Sequence, residues 1–239
     1  MKYWEAVPPF ELQPHVKAVW TLRLDGAAGE DVEHQAVPDG CVEIIRRLRG
    51  RSIWGSEQPD LFAAGMITAP ACFRFSGDAC FIGLRLWPWA WNALAKLPAP
   101  AFLNDWTPLA SAVPGLDPPQ DPDGLLAAAR SWFDGAEAPR PGRAALLSQS
   151  VREMGERSGL SPRALQRWFA AAVGVPPRTY LRLLRFQQSM EELRLDQASL
   201  ADHAARIGYA DQAHMAREFR SISGVTASKL RRRTRGPFL

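Results

Sequence analysis

The chain has 239 residues, 46% of them apolar and 23% charged, the composition of a globular protein with one large or two ordinary domains rather than of a disordered or fibrous chain. The opening MKYWEAVPPF holds no unbroken apolar stretch, and the most apolar later run, residues 81–97, is interrupted by Arg85, Pro88 and Lys96, so neither a signal peptide nor a membrane span is read and a cytoplasmic location is expected. The formal charge of +4 is unevenly divided, with 11 basic against 17 acidic residues over 1–139 (net −6) and 18 against 8 over 140–239 (net +10), which suits only the second part to a polyanion.

Up to residue 113 the apolar segments are short and rich in β-branched and aromatic residues: VKAVWTLRL, QAVPDGCVEIIRRL, SIWG, LFAAGMITA, ACFRFSG and CFIGLRLW, punctuated by Gly, Pro and Asp. This spacing predicts an all-β sandwich or barrel, with helix confined to AWNALAKL and the segment after it. Eight of the nine tryptophans precede residue 140, more than a barrel core of this size requires. They are either core and interface or, in part, the wall of a pocket for a small, partly apolar ligand. On the second reading Trp54 and Trp87 report the ligand, and Asp39, Glu43 and Arg85 orient it.

Cys41, Cys72 and Cys80 are odd in number and lack CxxC or Cys/His ligand spacing, which argues against a disulfide framework and a zinc site. His15 and His34 lie far apart without the HxH spacing of a metal-dependent β-barrel enzyme. No GxSxG, P-loop, HExxH or dinucleotide fingerprint appears. The sequence therefore assigns no catalytic residue, no metal ligand and no cofactor.

Residues 113–124, VPGLDPPQDPDG, cannot be strand or helix interior and mark a domain boundary. LLAAARSWF reads as a short helix capped by Asp121 or Asp123, and DGAEAPRPG as a second breaker. The expected organisation is a mainly-β domain over 1–113, a connector with one helix over 114–142, and a helical domain over 143–239.

The helical part repeats itself. Ser150 with Glu153 and Ser199 with Asp202 have the form of capping boxes, the Asp being the weaker choice. Each copy then runs to a glycine, Gly159 or Gly208, followed by an apolar residue, Leu160 or Tyr209. At an offset of 50, Ser161, Leu165, Arg167, Phe169, Gly174 and Val175 match Asp211, Met215, Arg217, Phe219, Gly224 and Val225. Leu165 and Phe169 share one helical face and Arg163, Gln166 and Arg167 another, which is the helix-turn-helix plan. Between the copies PRTYLRLLRFQQSMEELRL predicts one helix about 28 Å long, close to the roughly 34 Å between major-groove faces one turn apart.

The segments GLSPRALQRWFAAAVGVPPRTYLRLLRFQQSM and SLADHAARIGYADQAHMAREFRSISGV resemble the DNA-binding domain of the AraC family, over about residues 151–233. The resemblance implies two helix-turn-helix subdomains on a linker helix, with double-stranded DNA as the partner and RNA polymerase as a second one if the protein is an activator. Carried over by position, Arg163, Gln166 and Arg167 read bases from the first recognition helix, and Gln212, Ala213, Ala216 and Arg217 from the second. Arg suits guanine, Gln adenine and Ala the thymine methyl. Ser161, Arg178, His214, Arg220 and Arg231 are placed toward phosphates. Three positions depart from the family pattern: Ala227 for a usual Pro, Leu230 for a usual aromatic, and His203 for a buried aliphatic. His203 is either a satisfied core histidine or a pH sensor, and the tail KLRRRTR either a solvated basic end or a phosphate-binding extension.

VPDGCVEII and GLRLWPWAWNAL are similar to an amino-terminal domain found in a subset of that family. This implies a small cupin-like β-barrel that senses an effector or mediates homodimerisation. The overall fold class expected is thus α+β and multi-domain, the protein a DNA-binding regulator rather than an enzyme, with the effector and dimerisation alternatives both open.

Overall fold

The structure is a computed structural model and describes residues 1–195 and 199–228. Leu230, Arg231 and the rest of the KLRRRTR tail lie outside the described residues.

The first part is built from ten strands: β1 (Lys2–Ala6), β2 (Val16–Arg23), β3 (Asp31–Ala36), β4 (Val42–Arg49), β5 (Ser52–Trp54), β6 (Ser56–Glu57), β7 (Leu61–Ala64), β8 (Ala71–Ser76), β9 (Cys80–Leu86) and β10 (Trp106–Pro108). They form a six-stranded sheet in the order β1-β2-β9-β4-β7-β10 and a four-stranded sheet in the order β3-β8-β5-β6. Trp20, Leu22, Ile45, Phe62 and Phe81 of the large sheet meet Ala36 and Phe75 of the small one in a common core. The barrel-like body expected from the sequence is thus two facing sheets, each with two ends. The segment QAVPDGCVEIIRRL, read as one apolar stretch, is divided by a turn at residues 37–41 between β3 and β4.

Alternation along the strands separates two environments. On β4, Val42 and Ile44 face a second core with the helices, whereas Glu43 and Ile45 face the space between the sheets. Gly83 is required on β9 because Trp20, its partner on β2, lies across it: a Cβ there would sit 2.4 Å from the indole.

The helices are α1 (Pro88–Leu94), α2 (Leu109–Ala112), α3 (Pro122–Trp132), α4 (Arg140–Leu146), α5 (Val151–Ser158), α6 (Pro162–Ala172), α7 (Pro177–Leu195), α8 (Leu200–Ile207) and α9 (Gln212–Ser223). Asp121 caps α3, accepting the Gly124 amide at 2.7 Å. α4 opens on RPG, which reads as a breaker in sequence, yet Pro in a first turn forfeits no helical hydrogen bond. Gly142 there packs flat on Trp89, and a Cβ would come within 2.6 Å of the ring.

Sheet and helices share one continuous core. Val19, Ile44 and Leu84 from the strands join Trp91, Phe133, Phe169, Tyr180, Phe186 and Phe219. Trp89 stacks on Trp87 at 5.7 Å and meets Trp168 and Tyr180 at 6.3 and 6.2 Å. Asn92 donates to the Ala172 carbonyl at 2.8 Å, fixing the end of α6 against the β-rich part.

Candidate functional site

Both helix-turn-helix units are held by the local chemistry that marks them in sequence. Ser150 accepts the Glu153 amide at 3.2 Å, while the Glu153 carboxylate accepts the Gln149 amide at 2.8 Å. Ser199 accepts the Asp202 amide at 3.1 Å, but the shorter Asp202 carboxylate takes the Ser199 hydroxyl at 2.6 Å. Gly159 and Gly208 both end their helices in the left-handed region, at φ 71° and 84°.

In α6, Leu165 and Phe169 are buried and Arg163, Gln166 and Arg167 exposed. In α9, Met215 and Phe219 are buried, Gln212, Ala213 and Arg217 exposed and Ala216 half-buried. Each second helix therefore presents one polar face to solvent. Phe186 of α7 packs edge-on against Phe219 at 4.9 Å, and Arg182 of α7 pairs with Glu218 of α9 at 3.2 Å.

Arg178, Arg182, Arg185 and Arg217 line one groove beside the amino terminus of α5. Arg182 and Arg185 were missed in sequence although they follow Arg178 at steps of four and three on one helical face. Arg220 and Ser161 are exposed, the latter capping α6 through the Ala164 amide at 3.3 Å. His214 lines the groove but is locally engaged: its Nδ1 accepts the Ala210 amide at 3.3 Å and its Nε2 lies 3.8 Å from Glu218. His203 is fully buried, with Nε2 2.8 Å from the Ser189 hydroxyl and Nδ1 3.3 Å from Arg206. This is the surrounding of a satisfied core histidine. Ala227 is buried.

Between the two sheets is a cavity of about 70 Å³, walled by Trp20, Trp54, Phe62, Phe73, Phe75 and Phe81 and reached by Asp39, Glu43 and Gln58. Trp54 is packed on Phe73 at 4.9 Å. Trp87 stands elsewhere: β9 ends at Leu86, so Trp87 caps α1 and its indole donates to the Gln13 carbonyl at 3.0 Å. Trp20 is one of the tryptophans from which the sequence drew a pocket wall, whereas Gln58 escaped the sequence reading because only the pairing of short strands brings it to this space.

Arg85 lies directly opposite Glu43 in the β4–β9 register, and the two meet at 2.6 Å. Asp39 and Glu5 each approach the same guanidinium at 2.8 Å. Burial pushes the Glu43 carboxyl up to about 7 against the pull of Arg85, and Asp39 adds to the rise. Asp39 also accepts the Cys41 amide at 3.0 Å, which fixes the turn at residues 37–41. His15 stacks on Phe133 at 4.6 Å and His34 lies tilted against Phe75 at 5.2 Å, in separate places.

The other side of that turn meets α7. The Tyr180 hydroxyl donates to the Gly40 carbonyl at 3.0 Å, Gln187 donates to the Pro38 carbonyl, and a Cβ on Gly40 would lie 3.5 Å from Leu184.

A model described as a helix-turn-helix domain matches residues 154–233, and one described as a domain of unknown function (DUF6597) matches residues 5–108. The F1 operon positive regulatory protein of Yersinia pestis is 36% identical over 74 residues, which is 31% of this chain and only 25% of that protein's length. Two structures of ToxT from Vibrio cholerae share the fold across both parts. One, at 1.65 Å, is 9% identical with a TM-score of 0.51 over 96% of this chain and 98% of that one. The other, bound to (E)-4-(8-methylnaphthalen-1-yl)but-3-enoic acid, is 8% identical with the same score and coverage. Two capped helix-turn-helix units joined by one long helix lie where the domain model matches, so the chain carries an AraC-type helix-turn-helix domain over residues 154–233, within a two-part fold shared with ToxT.

Proposed function

We propose that this regulator reads specific duplex sequences through Arg163, Gln166 and Arg167 on α6 and Gln212, Ala213, Ala216 and Arg217 on α9. Ser161, Arg178, Arg220 and Arg231 hold the phosphate backbone, joined by Arg182 and Arg185 in the groove and by His214 at its edge. The protein acts by binding, without catalysis or cofactor, in the cytoplasm, with RNA polymerase as its further partner on activated promoters. Residues 1–113 serve as the sensing part, 114–142 as the connection and 143–239 as the DNA-binding part.

Its DNA affinity is set by a small molecule in the cavity between the sheets. The observation that carries this reading is the turn at residues 37–41. Val37, Asp39 and Cys41 line the cavity, while Pro38 and Gly40 are hydrogen-bonded to α7, the helix between the two DNA-binding units. A ligand that displaces the turn changes the support under α7, and it shifts DNA occupancy only by its differential affinity for the two arrangements. ToxT with an aryl alkenoic acid bound lends support, since it shows the fold receiving a small aromatic molecule.

The test is reciprocity. The ratio of DNA affinities with and without ligand must equal the ratio of ligand affinities with and without DNA. A compound that quenches Trp54 or Trp20 at saturation yet leaves operator affinity unchanged removes the sensor reading.

A second reading, in which the first part only assembles a homodimer, is favoured by the exposed Trp4, Val7 and Phe10 beside the edge strand β1. Sedimentation of the intact protein before and after Trp4→Lys distinguishes it.

A further inference from the structure

We propose that the cavity takes a compact aromatic amine carrying a hydrogen-bond acceptor on its ring, recognised as a cation by Asp39 and Glu43. The proposal deepens the sensor reading and rests on it.

The first observation is the charge in the cavity lining. Asp39, Glu43 and Glu5 surround a single guanidinium, Arg85, at 2.8, 2.6 and 2.8 Å. Even with the Glu43 carboxyl held near 7, Asp39, Glu5 and a part-ionised Glu43 together outweigh that guanidinium. Lys17, which does not line the cavity, is within electrostatic reach of Glu5 and Cys41 but is itself paired with Glu191 at 3.6 Å. Asp39 and Glu43 line the cavity themselves. An ammonium group placed there supplies the missing positive charge, whereas a carboxylate would add a further negative one in a site with little solvent to screen it.

The walls agree with a cation. Trp20 and Trp54 lie among four phenylalanines, and the faces of such rings attract an organic ammonium group, indole most strongly.

The second, independent observation is Gln58, 1% exposed and lining the cavity. Its Oε1 accepts the Ser52 hydroxyl, while its Nε2 has no hydrogen-bond partner among the described residues. A buried amide donor left unpaired is costly. It asks the ligand for an acceptor, which a ring oxygen supplies while the ammonium pairs with the carboxylates.

The experiment compares four probes on the intact protein by calorimetry and tryptophan fluorescence: tyramine, 2-phenylethylamine, the neutral alcohol tyrosol and the acid 4-hydroxyphenylacetate. Tyramine is expected to bind at least tenfold more tightly than tyrosol and at least a hundredfold more tightly than the acid. It should also exceed 2-phenylethylamine, which lacks the ring oxygen, and Gln58→Leu should abolish that margin. Glu43→Gln should lower tyramine affinity at least tenfold and leave tyrosol within about twofold. Binding of tyrosol or the acid at or above the tyramine level overturns the amine assignment while leaving the cavity a ligand site. Silence from all four probes also overturns it, and a broad thermal-shift screen then decides separately whether the sensor reading falls too. The probe comparison needs no variant, so misfolding of Glu43→Gln or Gln58→Leu leaves the test intact.

Discussion

The hydroxyl of Tyr180, in the first turn of the linker helix, donates to the carbonyl of Gly40 at 3.0 Å, in a place where the tyrosine is fully buried. Tyr180→Phe keeps the ring and its packing on Trp89 and Phe169 but leaves that carbonyl without its donor. The expected cost is about 1–3 kcal/mol, the range for a buried group stripped of its partner. Denaturant unfolding measures it. If the turn carries the ligand signal, the same variant also shrinks the ligand-dependent change in operator affinity; an unchanged response excludes Tyr180 from the route.

Glu43 gives a pH dependence with a definite sign. Its carboxyl is held near 7 in the folded protein against an ordinary 4.5, by burial first, opposed by Arg85, with Asp39 and Glu5 adding to the rise. Tyr3 and Cys41 also face this cluster. Between the two values the folded state keeps a proton that the unfolded chain has released, so this group's contribution to stability declines as pH rises from about 4.5 to about 7 and is level beyond. Glu43→Gln abolishes that slope. The stability difference between variant and unmodified protein should move in the variant's favour from pH 5 to pH 8; a difference constant across that range refutes the assignment.

On DNA, Arg167→Ala and Arg217→Ala should each cost about 1–3 kcal/mol on the cognate site and relax specificity at separate base pairs about one helical turn apart. Arg220→Ala should weaken all sequences alike and reduce the salt dependence of binding. Operator substitution scans are the check. Overlapping positions for Arg167 and Arg217 would sink the two-groove arrangement.

Gly142→Ala forces a methyl to within 2.6 Å of the Trp89 ring, against a residue buried between α1, α6 and α7. Overpacking of this kind costs about 1–3 kcal/mol. The loss should appear as a lowered thermal midpoint, with near-ultraviolet dichroism reporting the displaced indole. Full retention of both would mean that α4 slides freely.

The helix-turn-helix units were legible because their signals are local: a serine cap, a carboxylate three residues on and a glycine in the left-handed region all lie within ten residues. Strand β1 was not, since KYWEA becomes a strand only through pairing with β2 from Lys2–Arg23 to Ala6–Val19. The cavity was half legible. Asp39, Glu43 and Trp54 line it, while Arg85 is not in its lining and reaches it only through Glu43, which the register sets opposite across 42 residues of sequence. Trp87, two residues past Arg85, is carried off by the strand-to-helix junction at Leu86. Gln58 gave no signal, as a lone glutamine near a two-residue strand has no periodicity to read.

The shared core across sheet, α1 and α4 to α9 has a consequence for how the molecule is taken apart. A cut near residue 140 bares Trp168, Tyr180 and Val173 on one fragment and strips Trp89 of its cover on the other, so neither piece inherits a closed interior. The intact chain should melt in one calorimetric transition rather than two. On the proposed sensor reading, a ligand would act on such a body by slippage of packed surfaces over one another and not by the release of a tethered bead.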